Sequence, residues 1–394
     1  MAHQVTGRAI LLTGVTGVIG GRVLLELLAR TDRRVYCLVR DRDGVSALER
    51  MRRILTVYDD GHLLPVDWQN RVVALSGELT KPACGLDREL WVRIGREVGF
   101  VIHCAGLIRF LSKYESLRRV NVEGLANLAT ITAEFGLPLM FTSTYGVFGS
   151  KIYEDVTLLE SDLERGQFFL GLNYHRSKYE CERLLGLLAK TKGQRSIVVR
   201  LGDVMGDSKT GAYPLFETHL RSMYYSILKT AVDTGLAPLR PENFLVTPVD
   251  YVAEAMVHLL DCPEALGTTV HLINPHRRTF DDVMDSLKEV GYEIRSIPTD
   301  EYIDLFSTGQ VTVDDRPYHS PFTSMMVFFR NETVYLEQAH FDTANISRIL
   351  APTGIGCARI DAALLGKYAA YCSGKGFFAS PMADRKDLRG ERKT

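Results

Sequence analysis

The sequence predicts an α/β fold, a doubly wound parallel sheet joined to a smaller, mostly helical C-terminal part. Three observations predict it. Between Ile10 and Arg200 short apolar runs alternate with helical stretches, the pattern of strands buried on both faces and linked by crossover helices. A glycine-rich turn, Gly14-Val15-Thr16-Gly17-Val18-Ile19-Gly20, separates the first such run from the first helix. Helical stretches at 216–235 and 280–290 then fall outside the alternation. At 394 residues the chain exceeds one ordinary core, so two substructures sharing a cleft are expected.

The first strand is Ile10-Leu11-Leu12-Thr13. Glycine at 14 permits a tight turn, glycine at 17 lets backbone approach a pyrophosphate, and glycine at 20 lets helix and strand pack closely. Thr16, Val18 and Ile19 belong to the same turn, where the free N–H groups of the helix start face phosphates. Val23, Leu24, Leu27 and Leu28 continue at helical spacing, and Arg34-Val35-Tyr36-Cys37-Leu38-Val39 reads as a second buried strand. This strand-helix-strand unit predicts a Rossmann-type dinucleotide site. Arg40-Asp41-Arg42-Asp43 follows, about 20 residues beyond the turn, where the adenosine ribose is met. Arg40 and Arg42 suit the 2′-phosphate of NADPH, while Asp41 keeps an NAD reading open.

A helical stretch at 45–57 precedes a third strand, Arg71-Val72-Val73-Ala74-Leu75. It ends at Ser76-Gly77-Glu78-Leu79-Thr80-Lys81-Pro82, a loop expected beside the adenine. Asp87 can cap a helix over 88–97. Phe100-Val101-Ile102-His103-Cys104-Ala105-Gly106 is a fourth strand whose final small residues, Ala105 and Gly106, leave room for the cofactor. His103, set in an apolar strand, reads as a core histidine without a role. Asn121 opens a helix to about 135, and Leu137-Pro138-Leu139-Met140-Phe141 is a fifth strand. It ends in the hydroxyl cluster Thr142-Ser143-Thr144, at the strand end where open parallel sheets place ligands.

Tyr174 and Lys178, four apart on one helical face, start the next helix. Tyr225 with Lys229 and Tyr371 with Lys375 share the spacing. Order separates them, because only Tyr174 follows the hydroxyl cluster and precedes a sixth strand, Ser196-Ile197-Val198-Val199-Arg200. His271-Leu272-Ile273 supplies a seventh, after a helix at 251–260.

Composition excludes several functions. With 47 basic against 48 acidic residues, a formal net charge of −1, no overall field favours nucleic acid or a membrane surface. The seven cysteines are odd in number, scattered and free of C-x-x-C pairs, which argues for a reducing cytoplasm and against disulfides or zinc. The ten histidines show no ligand spacing, so no metal is expected. There is no export leader, and no apolar run approaches the roughly 18 residues of a spanning helix.

Thr13-Gly14-x-Thr16-Gly17-x-x-Gly20, Ser143-Thr144-x-x-Val147-x-Gly149 and Tyr174-x-x-x-Lys178 together resemble the extended short-chain dehydrogenase/reductases. Val39-Arg40, Gly77-Glu78-Leu79-Thr80-Lys81-Pro82, Arg200 to Ser208, Thr247 to Ala253 and Phe341 to Pro381 are similar to the thioester reductase branch. That branch holds the terminal reductase domains of nonribosomal peptide and polyketide synthetases, and carboxylic acid reductases. The likeness covers about residues 8–382. Glu78 stands where the family usually has aspartate and Tyr179 where it usually has tryptophan, while 304–340 matches nothing that can be read.

The element pattern divides the chain into 1–204 with 244–274 as the NADP-binding domain, 205–243 with 275–382 as a mostly helical substrate-binding lid, and 383–394 as a charged, disordered tail, and to this division the resemblance adds an activity. The resemblance implies NADPH-dependent reductive release of an acyl or peptidyl chain from a carrier-protein phosphopantetheinyl thioester, to an aldehyde or onward to an alcohol. Tyr174 is then the proton donor, Lys178 holds the nicotinamide ribose and lowers the pKa of Tyr174, Thr144 bonds the oxyanion, and Asn121 fixes the local backbone and a relay water. No stretch resembles a carrier's phosphopantetheine-bearing serine, so the carrier is expected as a separate partner or a domain outside this chain. Alternatives that use the same fold are a nucleotide-sugar epimerase or dehydratase, an acyl-CoA reductase, and a dinucleotide sensor without chemistry.

Overall fold

A computed structural model describes residues 9–40, 44–59, 63–109, 112–150, 156–217, 223–313, 315–319 and 339–381. Seven strands form the central sheet: β1 (Ala9–Thr13), β2 (Val35–Val39), β3 (Val72–Ser76), β4 (Val98–His103), β5 (Leu139–Thr144), β6 (Ser196–Leu201) and β7 (Thr269–Leu272). Their order is β7-β6-β5-β4-β1-β2-β3, and every pairing is parallel. The chain winds outward from β1 to β3, then returns to β4 and winds the other way. The carboxyl ends of β1 and β4, paired through Thr13 and His103, therefore flank the switch point where such sheets bind ligands.

Strand alternation divides the core. Ile10 and Leu12 face the helices Val18–Arg30, Ala47–Tyr58 and Val249–Leu259 through Val23, Leu24, Met51, Ile54, Val252 and Met256. Ala9 and Leu11 face the helices Arg88–Glu97, Gly124–Phe135 and Asn173–Lys192 through Trp91, Ile94, Leu128, Cys181 and Leu185. Side-chain caps start several helices: Ser46 accepts from the Glu49 N–H, Asp87 from Leu90, Asp361 from Leu364, and Thr279 forms a reciprocal box with Asp282.

A third apolar cluster lies in the second half, where Tyr225, Leu228, Val283, Leu287, Tyr302, Leu365 and Tyr368 pack together. They come from the helices Met223–Thr234, Phe280–Glu289, Thr299–Ser307 and Ala362–Gly374. The two halves meet at Gly206–Ser208. The Tyr368 hydroxyl donates to Gly206 O (2.9 Å), the Gly206 N–H donates to the Tyr225 hydroxyl (3.1 Å), and the Ser208 hydroxyl donates to Asp250 (2.6 Å). Buried Arg22, on the first helix, pairs with both Glu26 (2.6 Å) and Asp207 (3.3 Å).

Several features differ from the sequence reading. Helix begins before Asn121, at Tyr114, and passes through a π-helical turn over Arg118–Glu123 before the α-helix Gly124–Phe135. The helix Ala344–Leu350, within the stretch expected to belong to the lid, instead packs Ile346, Ile349 and Leu350 into the core of the sheet. It covers the β7 edge, with Asn345 donating to Thr269 O (3.2 Å). Three parallel ladders, Asp203–Met205 with Val246–Pro248, Leu236–Pro238 with Arg295–Ile297, and Thr157–Leu158 with His340–Phe341, form two-stranded sheets of their own. The expected tail 383–394 and Arg42 lie outside the described residues.

The glycine turn gives a stability prediction. A Cβ at Gly20 would stand 2.3 Å from the Gly14 carbonyl oxygen, too close for either backbone to yield cheaply. Gly20→Ala should lower the unfolding free energy by about 1–3 kcal/mol in urea titration, the usual cost of overpacking. An unchanged midpoint would show that the turn relaxes.

Candidate active site

The loops after β1 and β4 form one wall of the cleft. Gly14 adopts φ +80°, and a Cβ there would lie 2.6 Å from the Ala105 nitrogen, so the two loops touch backbone to backbone. The Gly17 N–H donates to Gly14 O (2.9 Å), and Gly17 caps the helix Val18–Arg30 without a side-chain bond. The first N–H groups of a helix have no partner within it, so Val18 and Ile19 present donors at this end. Thr13 orders the floor. Its hydroxyl oxygen accepts from the Ala105 N–H (3.2 Å) and shares a hydrogen bond with His103 Nδ1 (2.7 Å). Burial, then the Lys178 charge, pushes His103 down to about 3, so it is neutral. The core role expected of it fits this geometry.

Arg40 lies exposed at the end of β2. Beside it is a residue that sequence reasoning did not single out, Arg50. Arg50 donates to Arg40 O (2.6 Å) and to the Thr16 hydroxyl (3.5 Å), so it spans from the glycine turn to the second-strand loop. Glu78 accepts from the Thr80 hydroxyl (2.7 Å) and pairs with Lys81 (3.7 Å). The Thr80 bond chiefly, with Lys81 and Arg40 adding, holds its carboxyl below the ordinary value. Leu79 is fastened by its carbonyl, which accepts from Asn127 Nδ2 (2.8 Å).

Against the loop after β4, Asn121 accepts from the Leu107 N–H (2.7 Å) and donates to Leu107 O (3.1 Å) and the Ser177 hydroxyl (2.9 Å). Ser177 in turn donates to Tyr174 O (2.7 Å). Asn121 thus ties the loop after β4 to the Tyr174 helix, and it does so from a π-helical turn, a distortion often found at functional sites. A Cβ on Gly106 would lie 3.5 Å from both Asn121 Oδ1 and Lys178 Nζ, so these three positions converge.

Lys178 is buried and donates to Thr142 O (2.8 Å), with its ammonium 4.5 Å from the centre of the Phe141 ring. Burial pushes its pKa down, while Cys181, Cys104 and Glu182 oppose. Thr144 accepts from the Gly146 N–H (3.2 Å), which orients its hydroxyl and leaves its proton to donate. Gly146 packs flat on His175, where a Cβ would come within 2.4 Å of the ring, so the turn after Thr144 lies against the first turn of the Tyr174 helix. Burial raises the pKa of Tyr174, with Cys181 and Asp203 adding, and the phenol stays protonated. Asp203 also accepts from the Tyr145 hydroxyl (3.4 Å). Tyr145 and Asp203 lie inside stretches that carry the family likeness, yet spacing alone gave neither a role. The two other tyrosine–lysine pairs are accounted for by packing: Lys229 donates to Phe377 O (2.7 Å) and pairs with Asp233, and Lys375 lies over Tyr371.

Among the described residues no group of histidine, cysteine, aspartate or glutamate is placed to hold a metal ion, and no helix is long and apolar enough to cross a membrane.

The family model described as male sterility protein, an NAD-binding domain, matches residues 12–256. Among solved structures, the terminal R domain from the myxalamid PKS-NRPS biosynthetic pathway is 30% identical, with a TM-score of 0.83 over 95% of this chain and 93% of that one. An archaeal thiolation-reductase di-domain from a non-ribosomal peptide synthetase shares the fold at 21% identity, with a TM-score of 0.75 over 95% of this chain and 78% of that one. The isonitrile lipopeptide synthase of Streptomyces coeruleorubidus is 29% identical over 387 residues, 94% of this chain and 25% of the synthase. This chain spans about a third or less of the length of the curated relatives it matches. By the extent of these matches, the chain belongs to the NAD-binding male sterility protein family, within the extended short-chain dehydrogenase/reductases and beside the terminal reductase domains of peptide and polyketide synthetases.

Proposed function

We propose that this chain releases an acyl or peptidyl chain reductively, with NADPH, from the phosphopantetheinyl thioester of a carrier protein, giving an aldehyde. The observation that carries the reading is the convergence of a hydroxyl strand end, Thr142–Thr144, with the Tyr174–Lys178 helix beside a glycine-lined dinucleotide turn. The likeness to a terminal R domain supports it. We also take 205–243 and 275–382 as the lid, with the helix Ala344–Leu350 seated on the sheet.

The residues present fit a dinucleotide. Gly14 and Gly20 let the turn close against the Cys104–Ala105 backbone and against itself, Val18 and Ile19 supply phosphate donors, and Ala105, Gly106 and Leu79 border the cleft. Arg40 and Arg50 present two guanidinium groups at the ribose end, the chemistry of a 2′-phosphate site. When bound, the cofactor supplies hydride. The protein's own part is proton and charge handling. Thr144 directs its hydroxyl proton to the thioester oxygen as negative charge develops there. Tyr174, held protonated by burial, transfers its proton to that oxygen. Lys178, fixed by Thr142 O, keeps a cation behind the ribose position and faces the anion left on Tyr174. The thiohemiacetal then collapses to aldehyde and free thiol.

Tyr174→Phe should lower turnover roughly 10²- to 10⁴-fold while NADPH affinity is nearly kept, as for loss of a positioned acid. NADPH consumption with an acyl thioester and NADPH titration by fluorescence check the two parts. Arg40→Ala and Arg50→Ala should each raise the NADPH Michaelis constant by roughly tenfold or more and leave that for NADH nearly unchanged, since only NADPH offers a phosphate to a charged hydrogen bond. Equal effects on both cofactors would return these arginines to the solvated surface.

The partner is tested by kcat/KM for one acyl group on carrier protein, on coenzyme A and on a pantetheine mimic. A carrier form better by at least about tenfold, about 1.4 kcal/mol of extra transition-state binding, is expected when arm and protein surface are both engaged. Equal values for carrier and coenzyme A would indicate a free acyl-CoA reductase. Counting NADPH consumed per thiol released separates aldehyde from alcohol as product.

A further inference from the structure

Behind the Thr142–Thr144 edge runs a buried polar chain that the mechanism above does not use. The Ser143 hydroxyl donates to Glu182 Oε1 (2.5 Å). Glu182 is clamped by Arg200, whose Nε donates to both carboxylate oxygens (3.1 and 3.2 Å) and whose Nη2 donates to Oε2 (2.7 Å). Arg200 Nη1 donates to His271 Nε2 (3.1 Å) and Glu160 O (3.4 Å), and His271 Nδ1–H donates to Asp342 O (2.7 Å). The His271 tautomer follows from these partners, because burial and then the Arg200 charge hold it neutral, down to about 3.

We infer that Glu182, locked by Arg200, is a positioning residue for reduction, fixing the strand end that carries Thr144 against the helix that carries Tyr174 and Lys178. The inference rests on the roles proposed for those three residues. Its support is geometric. Lys178 and Glu182 lie one helical turn apart on one face. Lys178 grips Thr142 O and Glu182 grips the Ser143 hydroxyl, so two successive strand residues are held by two successive helical turns. The next strand residue is Thr144. Two such bonds fix the register of strand against helix, where an apolar contact would let it slide. Stability does not call for this arrangement, since replacing a buried ion pair by packed apolar side chains is often neutral or stabilising.

Glu182 also bears on the charge of Lys178. The titratable groups that act on that ammonium are Cys104, Cys181, His103 and Glu182. Burial pushes both thiols up to about 12 and His103 is neutral, so the charge among them is that of the Glu182 carboxylate paired with Arg200. Removing it lowers the Lys178 pKa, and the ammonium is lost at lower pH.

The test uses Glu182→Gln, which keeps shape and an acceptor, and Ser143→Ala, which removes one hydroxyl. Both should lower kcat roughly 10- to 100-fold, the scale of a small misplacement of reacting groups, with NADPH dissociation constants within about threefold of the parent. Glu182→Gln, and not Ser143→Ala, should also move the alkaline limb of the kcat profile to lower pH by about half a unit or more. The pH midpoint of amine labelling at Lys178, read by mass spectrometry, should move the same way and needs no substrate. A merely structural role would lower the melting temperature and leave both midpoints in place. If Glu182→Gln fails to fold, Ser143→Ala still tests the clamp, and parental kcat in that variant overturns it. Unmoved midpoints in a folded Glu182→Gln overturn it too. A parent chain inactive on every thioester, with the labelling midpoint still displaced in Glu182→Gln, would sink the reductive reading and support the placement of Glu182.

Discussion

The working end of this molecule depends on one constraint: a charged helix is buried against the carboxyl edge of a parallel sheet. Lys178 and Glu182 are both almost inaccessible, and taking such groups from water costs several kcal/mol each unless protein groups replace the water. Each replacement is visible. Thr142 O takes the ammonium, Ser143 and Arg200 take the carboxylate, and His271 and Glu160 O take what remains of the guanidinium. Arg200 sits on β6, His271 on β7 and Ser143 on β5, so the need to satisfy two helical charges dictates side chains on three adjacent strands. The register of Thr144 against Tyr174 is a consequence of that satisfaction.

The same logic joins the two halves of the chain. Arg22 leaves the phosphate-side helix and finds Glu26 and Asp207, and Asp207 lies in the stretch Gly206–Ser208 that Tyr225, Tyr368 and Asp250 also hold. The second apolar core is thereby anchored at the helix whose start faces the dinucleotide site. Glu160 makes a comparable tie on the other side, accepting from the His271 and Asn345 N–H groups, so the chain near 340–350 is bound to the β7 edge.

The fold was legible because parallel strands buried on both faces read as unbroken apolar runs, and because Gly14, Gly17 and Gly20 each answer a backbone demand that no other residue meets as well. Tyr174 was separable from Tyr225 and Tyr371 by order along the chain, since Tyr225 turns out to be buried in the second core. What stayed hidden depends on partners distant in sequence. Arg50 is one charge among several on an amphipathic helix, and only its bonds to Arg40 O and Thr16 mark it. Glu182 and Arg200 look like any helix acid and strand-end base until the fold brings them together. The two-residue and three-residue ladders carry too few side chains for a period to show, and the π-helical turn at Asn121 leaves apolar spacing almost unchanged. The helix Ala344–Leu350 follows only the two-residue strand His340–Phe341, too short to suggest from sequence that the helix covers β7.

The protonation state of Tyr174 bears on the direction of the chemistry. An epimerase on this fold starts by removing a proton from a hydroxyl, so its tyrosine must begin as a phenolate. Reduction starts from the other side, with a phenol that gives its proton away. Here burial raises Tyr174, with Cys181 and then Asp203 adding to the same effect. Each of these keeps the proton on the phenol and makes a resting phenolate costly. Under the proposed reaction, that proton would pass to the substrate oxygen as negative charge develops there. The same burial that fixes the helix thus holds the phenol in the form that the proposed proton transfer requires, so position and protonation state have one physical origin.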